Sequence, residues 1–274
     1  MGCCSSCCSS DSKIDSKKYP NLYKASKMTK TAFHRSDITI QTVKKLTTRA
    51  QQDMAKAKSP EGVVEIFSPP YSVVDKITDN VYLTGAGGMI RENIVGLRIS
   101  CIINATYEVP NYDVKGLECI RVPIDDTPED DISLYLEEVA DKLNEVVSKN
   151  RRAIVHCVAG KSRSTSLVLA YLVKYQKMTL KEAFIHCNKC RELCQPNPGF
   201  FKSLIEFERK ILGKTSVKMT FITIKGENKE IPDIYADLFQ EMALSTAMET
   251  RDAAKKKSIY ELSGRSRLAS TTET

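Results

Sequence analysis

Residues 156–164 read His156-Cys157-Val158-Ala159-Gly160-Lys161-Ser162-Arg163-Ser164. An apolar run at 153–155 precedes them and a helix-like run at 165–175 follows, so the pattern predicts a strand, a tight loop and a helix N-terminus. Successive backbone N–H groups of such a loop point inward, and the helix start adds positive charge, so the loop can hold a dianion. Arg163 adds a planar fork that matches two phosphate oxygens. The same positive field favours the thiolate of Cys157, which predicts a cysteine nucleophile that attacks a phosphate ester rather than a buried structural cysteine.

The rest of the core alternates short apolar strands with amphipathic helices. Strands are predicted at 80–84, 99–104, 118–123 and 153–157, and helices at about 131–149, 163–176 and 198–212. A further helix opens at Thr179 with a capping-box spacing to Glu182. These elements predict an α/β fold, a central mixed sheet flanked by helices.

Residues 69 to 235 resemble the dual-specificity phosphatases, the small atypical subgroup of the cysteine-dependent protein tyrosine phosphatases. The resemblance rests on the HCxxGxxRS loop and on segments 80–85, 101–106, 122–127, 196–200, 217–219 and 231–235. It implies the dual-specificity phosphatase fold with a Cys-x5-Arg phosphate loop, and hydrolysis of phosphotyrosine and phosphoserine or phosphothreonine through a cysteinyl-phosphate intermediate. The loop itself supplies the positive field, so neither a cofactor nor a metal is expected.

The resemblance also implies a role for each residue of the site. Asp126 matches the general acid, with its neighbour Asp125 as the alternative, because five acids lie between residues 125 and 131. The remaining roles are the nucleophile Cys157, the orienting His156, the thiolate-supporting Ser164, the turn residue Asn197, and the phosphate-binding residues Val158, Ala159, Gly160, Lys161, Ser162 and Arg163.

The sequence is compatible with three interpretations of the function. The first is a protein phosphatase that acts on signalling proteins, with mitogen-activated protein (MAP) kinases as a class implied by the resemblance. The second is a phosphoinositide phosphatase, because Lys161 resembles loops that bind inositol lipids, although Val158 and Ser162 depart from them. The third is a catalytically silent phosphoprotein-binding relative, which the presence of Cys157 and Arg163 opposes. Cys187, Cys190 and Cys194 fit helix packing better than a metal site.

Charge is concentrated at the two ends of the chain. The net charge is +8 for residues 1–58, −4 for residues 59–250 and +3 for residues 251–274. Basic ends on an acidic domain favour an anionic lipid surface over nucleic acid as the partner. There is no run of eighteen apolar residues and no secretory signal, so the ten cysteines are expected to be thiols.

The amino terminus, Met1-Gly2-Cys3-Cys4-Ser5-Ser6, fits the pattern for N-myristoylation of Gly2. One acyl chain binds membranes only marginally, so palmitoylation of Cys3 and Cys4 and the lysines from 13 to 30 would supply the second signal. We therefore expect a cytoplasmic protein held peripherally at the membrane, or a soluble cytoplasmic or nuclear protein if it is not acylated. A disordered end without a role and a thiolate metal site in Cys-Cys-x-x-Cys-Cys are the alternatives.

Four regions follow from these patterns. Residues 1–35 are expected to form a disordered basic tail with the lipid anchor, and residues 36–58 an amphipathic helix. The catalytic domain is predicted at 69–214, and residues 215–274 are expected to form a C-terminal extension with a loose tail.

Overall fold

The computed structural model describes residues 14–25, 71–112, 114, 116–224 and 227–236. The chain divides into a unit that ends at Ser216 and a unit that begins at Val217. The predicted amphipathic helix at 36–58, the acylation sites and the tail beyond residue 236 lie outside the described residues, so these expectations stay predictions.

The first unit is built on a five-stranded sheet. The strands are β1 (Asp75–Lys76), β2 (Val81–Thr84), β3 (Ile99–Asn104), β4 (Glu118–Arg121) and β5 (Arg152–His156). Their order is β1-β2-β5-β3-β4, and only β1 pairs antiparallel. Because β5 lies in the middle, the loop that follows it opens at the centre of the carboxyl edge, where ligands of such sheets bind. The predicted α/β fold with a mixed sheet is confirmed.

Helices cover both faces of the sheet. They are α1 (Arg91–Gly96), α2 (Ser133–Ser148), α3 (Arg163–Tyr175), α4 (Leu180–Cys190) and α5 (Pro198–Leu212). The long helices agree with the sequence pattern, whereas β1 and α1 were not predicted. Elements of two and six residues are too short to show a periodicity.

The helix α3 forms the centre of the core. Its residues 163–173 are all buried, and it packs against α2, α4 and α5. On the opposite face of the sheet, Ile94 of α1 packs against Tyr82, Ile102 and Ile154. Burial on every side of α3 fixes the direction in which its first turn meets the loop after β5.

The ends of α4 and α5 agree with the predicted capping. Thr179 accepts a hydrogen bond from the N–H of Glu182 while the Glu182 carboxylate accepts one from the N–H of Thr179, so the predicted capping box is confirmed. Gly213 ends α5 at φ 71°, in the left-handed region that glycine adopts without strain. Fully buried Glu208 accepts the N–H groups of Leu180 and Ser216, which ties the two helices together.

Residues 14–25, which we call the N-terminal strap, pack against α2. Tyr19, Leu22 and Ala25 are buried, and residues 20–25 are helical. The expectation of disorder from residue 1 to about 35 is therefore wrong for this segment. The strap stays ordered because its apolar residues recur every three positions along one side of a helical turn and find an apolar partner surface.

The second unit begins with a hairpin of β6 (Met219–Ile224) and β7 (Glu227–Pro232). Neither strand was predicted, because the sequence pattern indicates only a C-terminal extension at these residues. In the part of the chain that the structure covers, no helix combines the length and apolar character needed to cross a bilayer.

Candidate active site

Cys157 is the first residue after β5, at the floor of the predicted phosphate loop. Its side chain is buried, and its Sγ accepts hydrogen bonds from the N–H of Gly160 and the hydroxyl of Ser164, both at 3.2 Å. Two donors aimed at one sulfur stabilise negative charge on it. The structure thus brings three of the predicted site residues together.

Arg191 holds the loop from the outside. It is buried, its Nε donates to the carbonyl of Gly160 at 2.8 Å, and its Nη2 donates to the carbonyl of Ala159 at 2.9 Å. Its Nη1 pairs with Asp75 of β1 at 2.7 Å. One guanidinium therefore draws two consecutive loop carbonyls away from the binding site. Sequence reasoning missed this residue.

Backbone donors hold two further carbonyls of the loop. The N–H of Ala86 donates to Val158 O, and the N–H of Gln195 donates to Lys161 O, each at 2.8 Å. A peptide unit whose carbonyl points outward turns the amide of the next residue inward. These next amides are those of Ala159 and Ser162, which have no partner among the residues described and are therefore available to an anion.

Gly160 is required by the shape of the loop. Its φ is +67°, and a Cβ on it would lie 2.5 Å from the carbonyl carbon of Thr84. Any larger residue would push the loop off the end of β2.

Arg163 begins α3, and its guanidinium reaches across the loop. Its Nη1 donates to Glu108 at 2.9 Å and to the carbonyl of Ile124 at 3.3 Å. Its buried Nε has no hydrogen-bond partner among the described residues. Burial alone would lower the pKa of Arg163, but the negative groups of Cys157 and Glu108 raise it instead. The orphaned donor leaves room for a phosphate oxygen.

Asp126 lies at the rim of the site. One of its oxygens is 3.8 Å from Arg163 Nε, and the other accepts a hydrogen bond from Asn197 Nδ2 at 3.0 Å. Asn197 also caps α5 by accepting the N–H of Phe200, so one side chain fixes both elements. The neighbouring Asp125 is exposed, and within the described ranges its one hydrogen bond is from its backbone N–H to Asp130. The carboxylate that faces the loop is therefore that of Asp126.

Comparison with known proteins agrees with this geometry. The sequence profile "Dual specificity phosphatase, catalytic domain" matches residues 81–210. Dual specificity protein phosphatase 14 of Homo sapiens is 37% identical over 163 residues, which cover 59% of this chain and 80% of that protein. Dual specificity protein phosphatase 18 of Bos taurus is 34% identical over 180 residues, 65% of this chain and 94% of that protein. The crystal structure of human DUSP28 superposes with a TM-score of 0.50 at 25% identity and covers 53% of this chain and 99% of that one.

The chain belongs to the dual-specificity phosphatase family. It is therefore a hydrolase of the protein tyrosine/serine/threonine phosphatase class, and the predicted family and enzyme class are confirmed. Phosphoproteins are its substrates, as the family implies.

Glu108 is a second residue of the phosphatase site that sequence reasoning missed. It is half-exposed and lies on the loop after β3, where it forms the ion pair with Arg163. Arg121, buried at the end of β4, shapes this loop by donating to the carbonyls of Tyr107 and Val109. No local pattern marks either residue, because both act on segments distant in sequence.

His156 is the last residue of β5 and is buried next to Cys157. Its Nδ1 lies 3.3 Å from the carbonyl oxygen of Cys157. Burial lowers the pKa of His156 to about 4, so the ring is neutral at physiological pH. Its predicted support of the thiolate would therefore come from position and not from charge.

The three late cysteines do not form a metal centre. Cys187 and Cys194 are buried, and Cys194 Sγ lies 3.7 Å from the carbonyl of Cys187. Within the described ranges, no cluster of His, Cys, Asp and Glu could hold a metal ion. The lipidation sites Gly2, Cys3 and Cys4 lie outside these ranges.

Proposed function

We propose that the phosphatase works through a cysteinyl-phosphate intermediate on Cys157, with Asp126 as the general acid and base. The observation that carries this proposal is the sulfur of Cys157, which accepts two donors beneath a loop with inward amides. Phosphotyrosine and phosphoserine or phosphothreonine of signalling proteins are the proposed substrates, with MAP kinases among them.

In the first step, the Cys157 thiolate attacks phosphorus and forms the P–S bond. The P–O bond to the substrate breaks, and the leaving oxygen takes the proton of the Asp126 carboxyl group. The loop amides and Arg163 stabilise the equatorial oxygens, whose negative charge persists through the transition state. Asn197 holds Asp126 in the direction of the leaving group.

In the second step, a water molecule attacks phosphorus and passes a proton to the Asp126 carboxylate. The P–S bond breaks, and its electron pair returns to Cys157 Sγ. The hydroxyl of Ser164 already donates to this sulfur, so it stabilises the departing thiolate. The enzyme returns to its starting protonation state and releases phosphate.

The proposed location is the cytoplasmic face of a membrane. Myristoylation of Gly2, palmitoylation of Cys3 and Cys4 and the lysines from 13 to 30 would together meet the need for two membrane signals. Replacement Gly2→Ala in cells should shift the protein to the soluble fraction. An unchanged membrane-bound fraction would contradict the proposed anchor.

The catalytic proposal is tested by trapping and by direct detection of the intermediate. A rapidly quenched reaction should carry phosphate on the peptide that contains Cys157, and Cys157→Ser should abolish turnover while it retains bound phosphoprotein. Cys190→Ser is the matched control, because Cys190 is a partly exposed cysteine whose side chain makes no hydrogen bond to the phosphate loop among the described residues. The absence of phosphate from every cysteine would contradict the mechanism. Faster turnover of an inositol lipid than of a phosphopeptide would contradict the substrate class.

A further inference from the structure

A basic pocket lies at the end of the sheet opposite to the phosphate loop. It has a volume of about 380 Å³, and its lining residues are Asp79, Asn80, Arg98, Ser100, Asn150, Arg151 and Arg152. Three of these are arginines and one is an acid, and this acid already pairs with Lys76 at 2.8 Å. The pocket is thus strongly cationic, although residues 59–250 carry a net charge of −4.

The arginines of the pocket are partly fixed and partly free. Arg151 donates to the hydroxyl and carbonyl of Ser100, and Arg152 donates to the carbonyl of Leu97. The guanidinium of Arg98 has no hydrogen bond or ion pair with any described residue. Two anchored guanidiniums with spare donors beside a free one suit an anion with several oxygens, such as a phosphate group.

The N-terminal strap leads towards this same end of the domain. Leu22 donates its N–H to Glu138 in the middle of α2, whereas Tyr19 donates its hydroxyl to Glu145, two turns nearer the C-terminus of the helix. The chain before Tyr19 therefore leaves the domain beside the last turn of α2. That helix ends at Ser148, directly before the pocket residues that begin at Asn150.

We propose that the pocket binds the phosphate of acidic phospholipid headgroups and turns this end of the phosphatase towards the membrane. The proposal rests on the proposed membrane location and extends it to an orientation. A lipid surface is favoured over a soluble phosphate compound because the proposed acyl anchor would already hold the chain at a membrane. In addition, Tyr19 of the strap contacts Glu145, near the end of α2 that precedes the pocket.

This orientation has a consequence for the substrate. Arg152 begins β5 and Cys157 follows its last residue, so the pocket and the nucleophile are five residues apart, about 17 Å along an extended strand. With the pocket on the bilayer, the phosphate loop faces away from it. A membrane-bound molecule would then reach phosphoproteins and not the headgroups beneath it.

The test uses the full-length chain without acyl groups, so that it does not depend on the anchor. Binding is measured by co-sedimentation with vesicles of phosphatidylcholine alone and of phosphatidylcholine with phosphatidylserine. We expect binding to the acidic vesicles only, and a fall of about fivefold in partitioning for Arg98→Gln and again for Arg152→Gln. Lys189→Gln removes an exposed charge two residues before Arg191, which contacts the phosphate loop and not the pocket. This change should alter partitioning less than twofold, because charges far from the bound surface are screened.

A second arm separates lipid from soluble phosphate. Inorganic phosphate binds the catalytic loop, so its effect on the melting temperature is compared between the parent and Arg98→Gln. Equal shifts of the melting temperature in the two proteins, together with the loss of vesicle binding by Arg98→Gln, support a lipid site. Either of two results overturns the proposal. In the first, phosphate raises the melting temperature of the parent more than that of Arg98→Gln, and the parent does not bind vesicles. In the second, Arg98→Gln and Lys189→Gln bind acidic vesicles equally well.

A third arm tests the orientation. Vesicle-bound enzyme is given a soluble phosphopeptide and a phosphoinositide in the same vesicle. Hydrolysis of the peptide alone supports the outward-facing loop, whereas hydrolysis of the headgroup overturns it. Inactivity towards both substrates with intact vesicle binding would refute the proposed catalytic function and not the membrane site. Arg98→Gln should leave peptide turnover in solution unchanged.

Discussion

Replacement of Arg191 by lysine should disable the phosphate loop without removing any group that touches substrate. The guanidinium makes two short hydrogen bonds to the carbonyls of Ala159 and Gly160 and one ion pair with Asp75. A lysine carries a single ammonium without the planar fork, so it can keep the partner Asp75 only by releasing at least one loop carbonyl. The released peptide unit is free to rotate its neighbouring amide out of the site.

The size of the effect follows from these contacts. A hydrogen bond to a charged group contributes about 1.5–3 kcal/mol, so the loss of one or two destabilises the domain by about 3 kcal/mol and lowers its melting temperature by about 6–12 °C. Misplacement of a positioned group by about 1 Å costs on the order of 100-fold in rate. We expect kcat/KM for a phosphopeptide to fall about 100-fold, with a matching loss of affinity for orthovanadate.

The assay is carried out well below the melting temperature of both proteins. Arg209→Lys is the matched control, because Arg209 is exposed and, among the described residues, forms an ion pair with Glu206 alone. This surface contact contributes at most about 1 kcal/mol. A merely structural role would lower the melting temperature and leave vanadate affinity intact. Vanadate affinity and kcat/KM within threefold of the parent would refute the positioning role of Arg191.

Three further outcomes are expected from the same structure. Asp126→Asn should slow hydrolysis of an alkyl phosphate by about 10²–10⁴-fold, whereas Asp125→Asn should change it little, and equal effects in steady-state kinetics would contradict the assignment. The unfolded chain binds a proton at His156 near pH 6.5 and the folded chain only near pH 4, so about 3 kcal/mol of stability should be lost as the pH falls through this window. Urea unfolding of His156→Asn should lack this part of the pH dependence, and an unchanged slope would count against a buried neutral ring. Leu22→Ala should release the N-terminal strap, seen as faster tryptic cleavage after Lys18 at unchanged activity, and unaltered cleavage would argue against docking of the strap.

The phosphate loop and the helix α3 were predictable because their signals are local. The nine-residue motif and the sequence runs on either side of it all indicate the same order of strand, loop and helix. The end of α5 at Gly213 and the capping box at Thr179 were predictable for the same reason, since both depend on residues within one turn. An element can be predicted from sequence alone when its neighbouring residues all favour the same structure.

The residues that hold the loop in shape were not predictable. Arg191 and Gly160 are 31 positions apart, and Glu108 and Arg163 are 55 positions apart. An arginine or a glutamate in a charged segment resembles any solvated side chain until the fold brings its partner close. The strap is a different case, because Tyr19, Leu22 and Ala25 recur at helical spacing, but this pattern is short and lies among lysines.

The position of β5 joins the two proposed sites into one arrangement. Its carboxyl end delivers Cys157 to the catalytic loop, and its amino end begins with Arg152 at the basic pocket. A strand at the centre of the sheet is rigid on both sides, so an orientation imposed at one end is transmitted to the other without any moving part. If acidic lipid holds the amino end, the choice between phosphoprotein and membrane lipid follows from geometry and not from the chemistry of the loop. In that arrangement the positive charge of Lys161 favours acidic phosphopeptides rather than inositol headgroups. The parent should therefore hydrolyse a phosphopeptide with acidic flanking residues faster than a neutral one, and Lys161→Ala should hydrolyse the two at similar rates.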